Sequence, residues 1–268
     1  MELVSLFKQY LEHLFAGKRA QAWQLLVNAH DRGTPARKLL TLVIWPAMEQ
    51  IQKLYREHHI SRIVEHMATR INRTVADRLI TVMASLPLQG KTMVVVCGEG
   101  EAEELGAQIT ADLFENDGWG VWFLGAGVPN DEILQFCGKN QPDILTIYGT
   151  RPEGVPGTRK LIEMIRAVGA CEQMQVLVTG GVFNRADGLC DEVKADLYAE
   201  TARDAVKTVA EHPVRVPRPD VPEPGRRRKR RNRKKKHLMN VEQMFSTRLT
   251  TTKITVEVPT EVDEEDEI

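Results

Sequence analysis

The sequence predicts an α/β protein in which a four-helix bundle precedes a doubly wound sheet of five parallel strands, followed by a disordered charged tail. Three observations predict this fold class. Residues 1–86 carry apolar side chains at helical spacing and almost no strand signal. Residues 90–212 alternate short apolar strands with amphipathic helices, which is typical of a parallel sheet with crossover helices. Residues 213–268 are rich in proline and then in charge, so they lack the apolar content that a packed element needs.

Glycine, proline and serine mark the ends of the predicted bundle helices. The first helix ends at Gly17, the third begins at Pro35, and Ser61 is placed to cap the fourth with its hydroxyl oxygen. The connections are short, so consecutive helices are expected to be antiparallel. The four helices are expected at about residues 3–15, 19–28, 35–55 and 61–82.

Five apolar segments are predicted as strands, and each is followed by an amphipathic helix. Alternation at this interval argues for parallel pairing and suits the flavodoxin-like strand order. The strands are expected at residues 92–97, 120–124, 144–148, 175–179 and 197–198. The helices between and after them are expected near residues 104–116, 130–138, 156–168, 183–192 and 201–211.

Composition is that of a globular protein from a reducing compartment. An apolar fraction of 42% is enough for a core, and four widely spaced cysteines without a C-x-x-C pair predict thiols rather than disulfides or a zinc site. Glu2, Lys8 and Glu12 interrupt the apolar N-terminal residues, which favours a helix over a signal peptide. No run approaches the roughly 18 apolar residues that a membrane span needs. We therefore expect a soluble, cytoplasmic protein.

Charge is distributed unevenly along the chain. Residues 213–268 hold 14 of the 36 basic and 10 of the 37 acidic residues, which leaves 22 basic and 27 acidic residues in the body. Ten of the eleven residues 226–236 are basic, and residues 263–267 are all acidic. Such a basic run neutralises phosphates with little sequence readout, so we predict contact with nucleic acid. An anionic membrane surface or the protein's own acidic regions are the alternatives. The predicted nucleic-acid residues are Arg226, Arg227, Arg228, Lys229, Arg230, Arg231, Arg233, Lys234, Lys235 and Lys236.

The turn from Gly100 to Gly106 follows the first predicted strand and opens a helix, where α/β sheets place their ligands. It resembles the signature loop of cobalamin-binding domains, Asp-x-His-x-x-Gly, in which the His ligates cobalt. The matching positions here are Glu101, Glu103 and Gly106. The resemblance therefore implies a corrinoid site with Glu103 in place of the metal ligand. A carboxylate is a harder ligand than imidazole and is less suited to cobalt.

Further segments carry the same resemblance over roughly residues 3–210. Tyr55, followed after nine residues by Glu65-His66, is similar to the Trp-x9-Glu-His motif over the upper corrin face in cobalamin-dependent light-sensing regulators. Gly180-Gly181 is similar to the glycine pair after the family's fourth strand. A Ser-x-Leu pair of the family lies beside the nucleotide tail of the cofactor, and it is matched here by Tyr148 and Thr150. The residues implied to contact the cofactor are Tyr55, Glu65, His66, Glu101, Glu103, Gly106, Tyr148, Thr150, Gly180 and Gly181.

The departures from the family pattern bear on how a cofactor would bind. The bulky phenol of Tyr148 is expected to fill part of the tail cavity, and the acids of the turn are expected to repel the phosphate of the tail. Those acids also have a structural explanation, because carboxylates at a helix N-terminus oppose the helix dipole. No nucleophile stands at motif spacing from them, so no catalytic residue is assigned.

Two other patterns remain open or are set aside. Gly98 and Gly100 do not make a dinucleotide fingerprint, because the next glycine is six positions further on rather than three. His58 and His59, with His66, are either metal or haem ligands or a solvated helix end.

We expect a non-enzymatic sensory or regulatory protein built on a divergent cobalamin-binding module, with cobalamin as the cofactor that the resemblance implies and no separate metal site. Its basic tail would contact nucleic acid or an acidic partner, and its bundle would contact a protein partner or a second copy. The alternatives are a corrinoid carrier for methyl transfer and a ligand-free scaffold derived from the module.

Overall fold

A computed structural model of the chain describes residues 3–101, 104–169 and 171–216. Within these ranges the predicted fold class is confirmed, since helices come first and a five-stranded, all-parallel sheet follows. The predicted disordered tail, residues 213–268, lies outside the described residues from position 217 onwards, and so do the nucleic-acid residues Arg226 to Lys236. None of the described helices is both long and apolar enough to cross a membrane.

The bundle helices begin and end close to the predicted positions. Gly17 adopts a φ of +67° after the first helix, and the Ser61 hydroxyl accepts a hydrogen bond from the Val64 amide at 3.4 Å. The last helix of the bundle ends two residues before Val82, the predicted end. The helices are α1 (Leu3–Phe15), α2 (Arg19–Asp31), α3 (Ala36–Leu39), α4 (Trp45–Arg56) and α5 (Arg62–Ile80).

The third predicted helix contains a wider turn. Five π-helical residues, Leu40–Ile44, join α3 to α4, and the Trp45 amide donates to the Leu40 carbonyl. Pro46 follows at once; it has no amide hydrogen, and its ring crowds the carbonyl four residues back. A π turn just before the proline lets the helical path continue through it.

A buried hydrogen-bonded pair ties this helix to its neighbours. The Tyr10 hydroxyl donates to Asn72 Oδ1 at 2.9 Å, and Asn72 Nδ2 donates to the Ile44 carbonyl at 3.2 Å. Tyr10 and Asn72 are both 0% exposed. The pair therefore connects α1, α5 and the end of the π turn.

The sheet has the strand order β2-β1-β3-β4-β5, which is the predicted flavodoxin-like order. The strands are β1 (Thr92–Cys97), β2 (Gly120–Gly125), β3 (Ile144–Tyr148), β4 (Gln175–Thr179) and β5 (Leu197–Ala199). The helices are α6 (Leu105–Asn116), α7 (Asn130–Asn140), α8 (Val155–Val168), α9 (Gly181–Arg185), α10 (Leu189–Glu192) and α11 (Ala202–Glu211).

The prediction of one helix over residues 183–192 is wrong. Two short helices, α9 and α10, occupy residues 181–192. Gly188 separates them with a φ of +79°, a left-handed conformation that ends helical geometry. This break places the end of α9 near the carboxyl edge of the sheet.

The two faces of the sheet are covered by different helices. Val94, Val96, Leu145 and Ile147 belong to the apolar cluster that includes α7 and α8. Because side chains alternate along a strand, Tyr148 points to the opposite face, where α6 packs with α11. Ligands of such sheets bind at the carboxyl edge, between β1 and β3, where the strand order reverses.

Polar contacts fix the bundle along α6. Arg37 Nη2 donates to Asp117 Oδ2 at 2.8 Å, and Arg37 Nη1 donates to Asn116 Oδ1 at 2.7 Å. Nearer the other end of α6, Gln108 Nε2 donates to Asp77 Oδ1 of α5 at 2.9 Å. These contacts hold α3 and α5 against α6 and the turn after it.

Candidate functional site

Tyr148 occupies the centre of the carboxyl edge. It is the last residue of β3 and only 2% exposed. A Cβ placed on Gly106 would lie 2.5 Å from Cζ of the Tyr148 ring, so the ring packs directly on the glycine of α6. The Tyr148 hydroxyl lies 4.0 Å from Met48 Sδ on α4. One side chain thus spans from the sheet to the bundle.

Glu101 is engaged by the neighbouring strand exit. Its carboxylate accepts hydrogen bonds from the Thr150 amide at 2.6 Å and from the Thr150 hydroxyl at 2.7 Å. Glu101 is 8% exposed, so this is a buried carboxylate with a main-chain and a side-chain donor. Glu101 and Thr150, which were both predicted to contact the cofactor, are therefore close together, but they hydrogen-bond to each other.

Glu104 makes a similar contact on the other side of the turn. Its Oε1 accepts a hydrogen bond from the Ala126 amide, after β2, at 2.6 Å. Helix α6 begins at Leu105, and Glu104 makes no side-chain capping bond to it. Glu101 and Glu104 thus also hydrogen-bond to strand exits, a role that the helix-dipole interpretation did not include. Glu103, the position of the cobalt ligand in the family, lies outside the described residues.

Gly180 and Gly181 each allow a close contact that a side chain would block. Gly180 has a φ of +104°, and a Cβ there would lie 2.9 Å from the Gly149 nitrogen. A Cβ on Gly181 would lie 2.8 Å from Arg185 Nη1. The Arg185 guanidinium donates to the Thr150 carbonyl, so it covers Gly181 and the end of β3.

The bundle meets the carboxyl edge of the sheet through α4, and α5 packs beside α4. Met48, Gln52 and Tyr55 recur at helical spacing on α4, and Tyr55 is half-buried. Gln52 Nε2 donates to Glu65 Oε1 at 3.1 Å. Glu65 is therefore fixed between the two helices, with 13% of its side chain exposed.

His66 is the accessible nitrogen donor on this side. Its side chain is 55% exposed, and its Nε2 lies 3.7 Å from Glu65 Oε2. Arg62 Nε lies 3.4 Å from the same nitrogen, so His66 is bordered by Arg62 and Glu65.

Groups of like charge lie near one another where the bundle meets the sheet. Partial burial, followed by the cation of Arg56 on α4, lowers the pKa of Arg185. Partial burial raises the pKa of Glu49 on α4 to about 7, and the carboxylates of Glu200 and Asp204 add to the shift. Helix α4 therefore brings a cation and a carboxyl group close to groups of the same charge.

Sequence reasoning missed several residues of the edge. Met48 could have been predicted, because it lies at helical spacing from Gln52 and Tyr55 on one face of α4. Arg185 and the pairing of Glu104 with Ala126 had no local signal, because strand exits distant in sequence bring them into place. Among the described residues, no group of three or more His, Cys, Asp or Glu side chains is arranged to hold a metal ion, His58 and His59 included.

The side chains of the bundle fit a corrinoid, and those at the carboxyl edge of the sheet do not. On the bundle side, His66 offers an imidazole and Tyr55 an aromatic surface. On the sheet side, the resemblance assigns the nucleotide tail to the space that Tyr148 fills beside Gly106. The backbone donors of Thr150 and Ala126, which would serve an anionic group, are held by carboxylates of the chain itself.

Comparison with known proteins agrees with the architecture. A family model described as "B12 binding domain" matches residues 6–80. Dimethylamine corrinoid protein 3 of Methanosarcina acetivorans is 24% identical over 186 residues, which cover 66% of this chain and 83% of that protein. Dimethylamine corrinoid protein 1 of the same organism is 28% identical over 123 residues, 45% of this chain and 57% of that protein.

A solved structure shows the same fold. The monomethylamine corrinoid protein of Methanosarcina barkeri superposes with a TM-score of 0.69 at 17% identity, covering 77% of this chain and 98% of that protein. These relatives are corrinoid proteins, so the narrower likeness to light-sensing regulators is not supported. Residues 6–80 thus match a B12 binding domain, and the fold of the described chain is that of a corrinoid protein.

Proposed function

We propose that this chain is a non-catalytic corrinoid carrier, which holds a corrinoid between its bundle and the carboxyl edge of its sheet and presents it to a protein partner. The observation that carries the proposal is the B12 binding domain match over residues 6–80, the helices that hold Tyr55, Glu65 and His66. The relatives' printed names, which describe corrinoid proteins, support it. This was the alternative to the regulatory function expected from the sequence, and the relatives favour it.

The bundle supplies the contacts on which the proposal depends. His66 would offer its imidazole to the upper face of the ring, and Glu65, held by Gln52 and by the Thr69 hydroxyl, would orient it. A bound corrinoid supplies the cobalt centre that carries a methyl group. The chain itself holds the ring, limits the access of water and exposes one face to a partner.

The test is binding by the full chain. After incubation with aquacobalamin and gel filtration, we expect corrinoid absorbance to elute with the protein at one equivalent. The His66→Ala variant should bind about tenfold more weakly, a loss of about 1.4 kcal/mol. His59→Ala, at the exposed end of α4, is the matched control and should bind like the wild type. Elution of the protein without corrinoid would refute the carrier function.

A regulatory function through the tail is the second candidate, and the run of ten basic residues at 226–236 favours it. Such a run predicts salt-dependent binding of DNA or RNA. Deletion of residues 226–236 should abolish a gel shift that the full chain produces at low salt. An unchanged shift would remove the tail from consideration as the nucleic-acid contact.

A further inference from the structure

We infer that Tyr148 keeps the nucleotide tail of a corrinoid out of the sheet, so that this chain binds the corrin ring with no contribution from the tail. The inference rests on the proposed function and specifies which part of the cofactor the site recognises. It follows from three features of the carboxyl edge.

The first feature is the volume that the phenol occupies. The Tyr148 ring packs on Gly106 of α6 from below and brings its hydroxyl to 4.0 Å from Met48 Sδ of α4 above. Gly106 has no unusual backbone angle, so it is needed for space rather than for conformation. The gap between β3, α6 and α4 therefore holds one tyrosine side chain and cannot also hold a nucleotide base.

The second feature is the use of the backbone donors around that gap. An entering tail would bring an anionic phosphate, which needs free amide groups or cations. The Thr150 amide already donates to Glu101, and the Ala126 amide to Glu104. Internal carboxylates thus take the donors and add negative charge at the place where a phosphate would arrive.

The third feature is a polar group left beside the tyrosine. Thr179 is in register with Tyr148 on the adjacent strand β4, is 0% exposed, and its hydroxyl makes no hydrogen bond to any described residue. Because register partners share a face of the sheet, this hydroxyl borders the volume that Tyr148 fills. A smaller residue at position 148 would open a space with a polar wall and the Gly106 backbone as its floor.

The test compares cobalamin with cobinamide, a corrinoid that lacks the nucleotide tail. Dissociation constants are measured by equilibrium dialysis for the full chain, Tyr148→Ser and Tyr148→Phe. We expect wild type and Tyr148→Phe to bind the two corrinoids equally, within about threefold. Tyr148→Ser should bind cobalamin about tenfold more tightly and leave cobinamide unchanged.

A second measurement needs no variant. Methylcobalamin has its upper position filled, so its visible spectrum reports whether its own base stays on cobalt. We expect wild-type protein to leave the base-on spectrum of the bound cofactor unchanged. A base-off spectrum, or a wild-type preference of tenfold or more for cobalamin over cobinamide, would overturn the inference while the carrier function stands. Failure of the wild type to bind either corrinoid would overturn both.

Discussion

The helical bundle and the carboxyl edge of the sheet meet where Met48 contacts Tyr148, yet they compare differently with cobalamin-binding domains. The bundle matches the B12 binding domain over residues 6–80, and its core is closed by the fully buried pair Tyr10 and Asn72. The edge keeps the glycines of the family pattern but surrounds them with Tyr148 and with carboxylates that bind the chain's own amides. One region matches the family model in sequence, and the other carries side chains that depart from the pattern that the resemblance implies.

The difference shows how unequally fold and site depend on single residues. A fold rests on many apolar contacts, each contributing about 1–3 kcal/mol, so it tolerates wide sequence change. A site rests on a few groups, and one large side chain in the wrong place excludes part of a ligand. Similarity to corrinoid proteins therefore establishes the scaffold more firmly than the manner of binding.

The largest effect is expected inside the bundle, at Asn72. Replacing Asn72 by Ala leaves two buried groups, the Tyr10 hydroxyl and the Ile44 carbonyl, without a hydrogen-bond partner. The change should lower the free energy of unfolding by about 3 kcal/mol. This free energy is measured by urea unfolding, with circular dichroism as the probe. Tyr10→Phe leaves only Asn72 Oδ1 without a partner, so it should lower the free energy of unfolding by about 1–2 kcal/mol.

The double variant Tyr10→Phe with Asn72→Ala distinguishes a coupled pair from two separate packing sites. We expect it to cost less than the sum of the single changes, because no tyrosine hydroxyl remains to be left without a partner. Strictly additive losses would mean that the two residues do not act as a unit. The bundle would then hold together by apolar packing alone.

A smaller effect is expected at the carboxyl edge, where Gly106 meets the ring. In the wild type, Gly106→Ala should destabilise by about 2 kcal/mol, because the new Cβ overlaps the Tyr148 ring. In a Tyr148→Ser background the same change should stabilise by about 1 kcal/mol, since alanine is the better helix former. Urea midpoints of the four proteins give both values. The same sign in both backgrounds would contradict the packing of Tyr148 on Gly106.

Much of the fold was predictable because local sequence and burial agree. The strands β1, β3 and β4 are continuous apolar runs, and in the structure they are buried almost throughout. The two local errors have local causes: Gly188 divides a helix that was predicted as one, and a π turn before Pro46 interrupts the helix predicted over residues 35–55. Both concern how a backbone accommodates one residue, which periodicity does not reveal.

The site was predictable as a set of residues and not as a set of contacts. Glu101 and Thr150 were both identified, but the bond between them joins positions 49 apart. The bulk of Tyr148 suggested a filled cavity, whereas its contact with Met48 depends on how the bundle sits over the sheet. Arg185 covers Gly181 only because α9 ends where it does. Such contacts follow from tertiary structure.

The smallest effect concerns Asp112, on α6, where the two regions meet. Burial, then the carboxylates of Glu115 and of Asp77 on α5, raise its pKa to about 7. Asp112 Oδ2 is buried without a hydrogen-bond partner among the described residues. Since the folded pKa lies above the unfolded value of about 3.9, the native state holds the extra proton between these pH values. Its stabilising effect is complete below pH 4 and is lost as the pH rises towards 7.

The Asp112→Asn variant, which mimics the neutral acid, should exceed the wild type's free energy of unfolding by about 1 kcal/mol at pH 8, a value reduced for partial exposure, and by less at pH 5. Glu49→Gln is the matched variant at the cleft, because the pKa of Glu49 is also raised to about 7. Urea midpoints at the two pH values measure both. If only Glu49→Gln removes the pH dependence, the position of Glu49 near Glu200 and Asp204 controls it. If only Asp112→Asn does so, the contact of α5 with α6 controls it. Equal differences from the wild type at pH 5 and pH 8 for both variants would show that neither carboxyl titrates in this range.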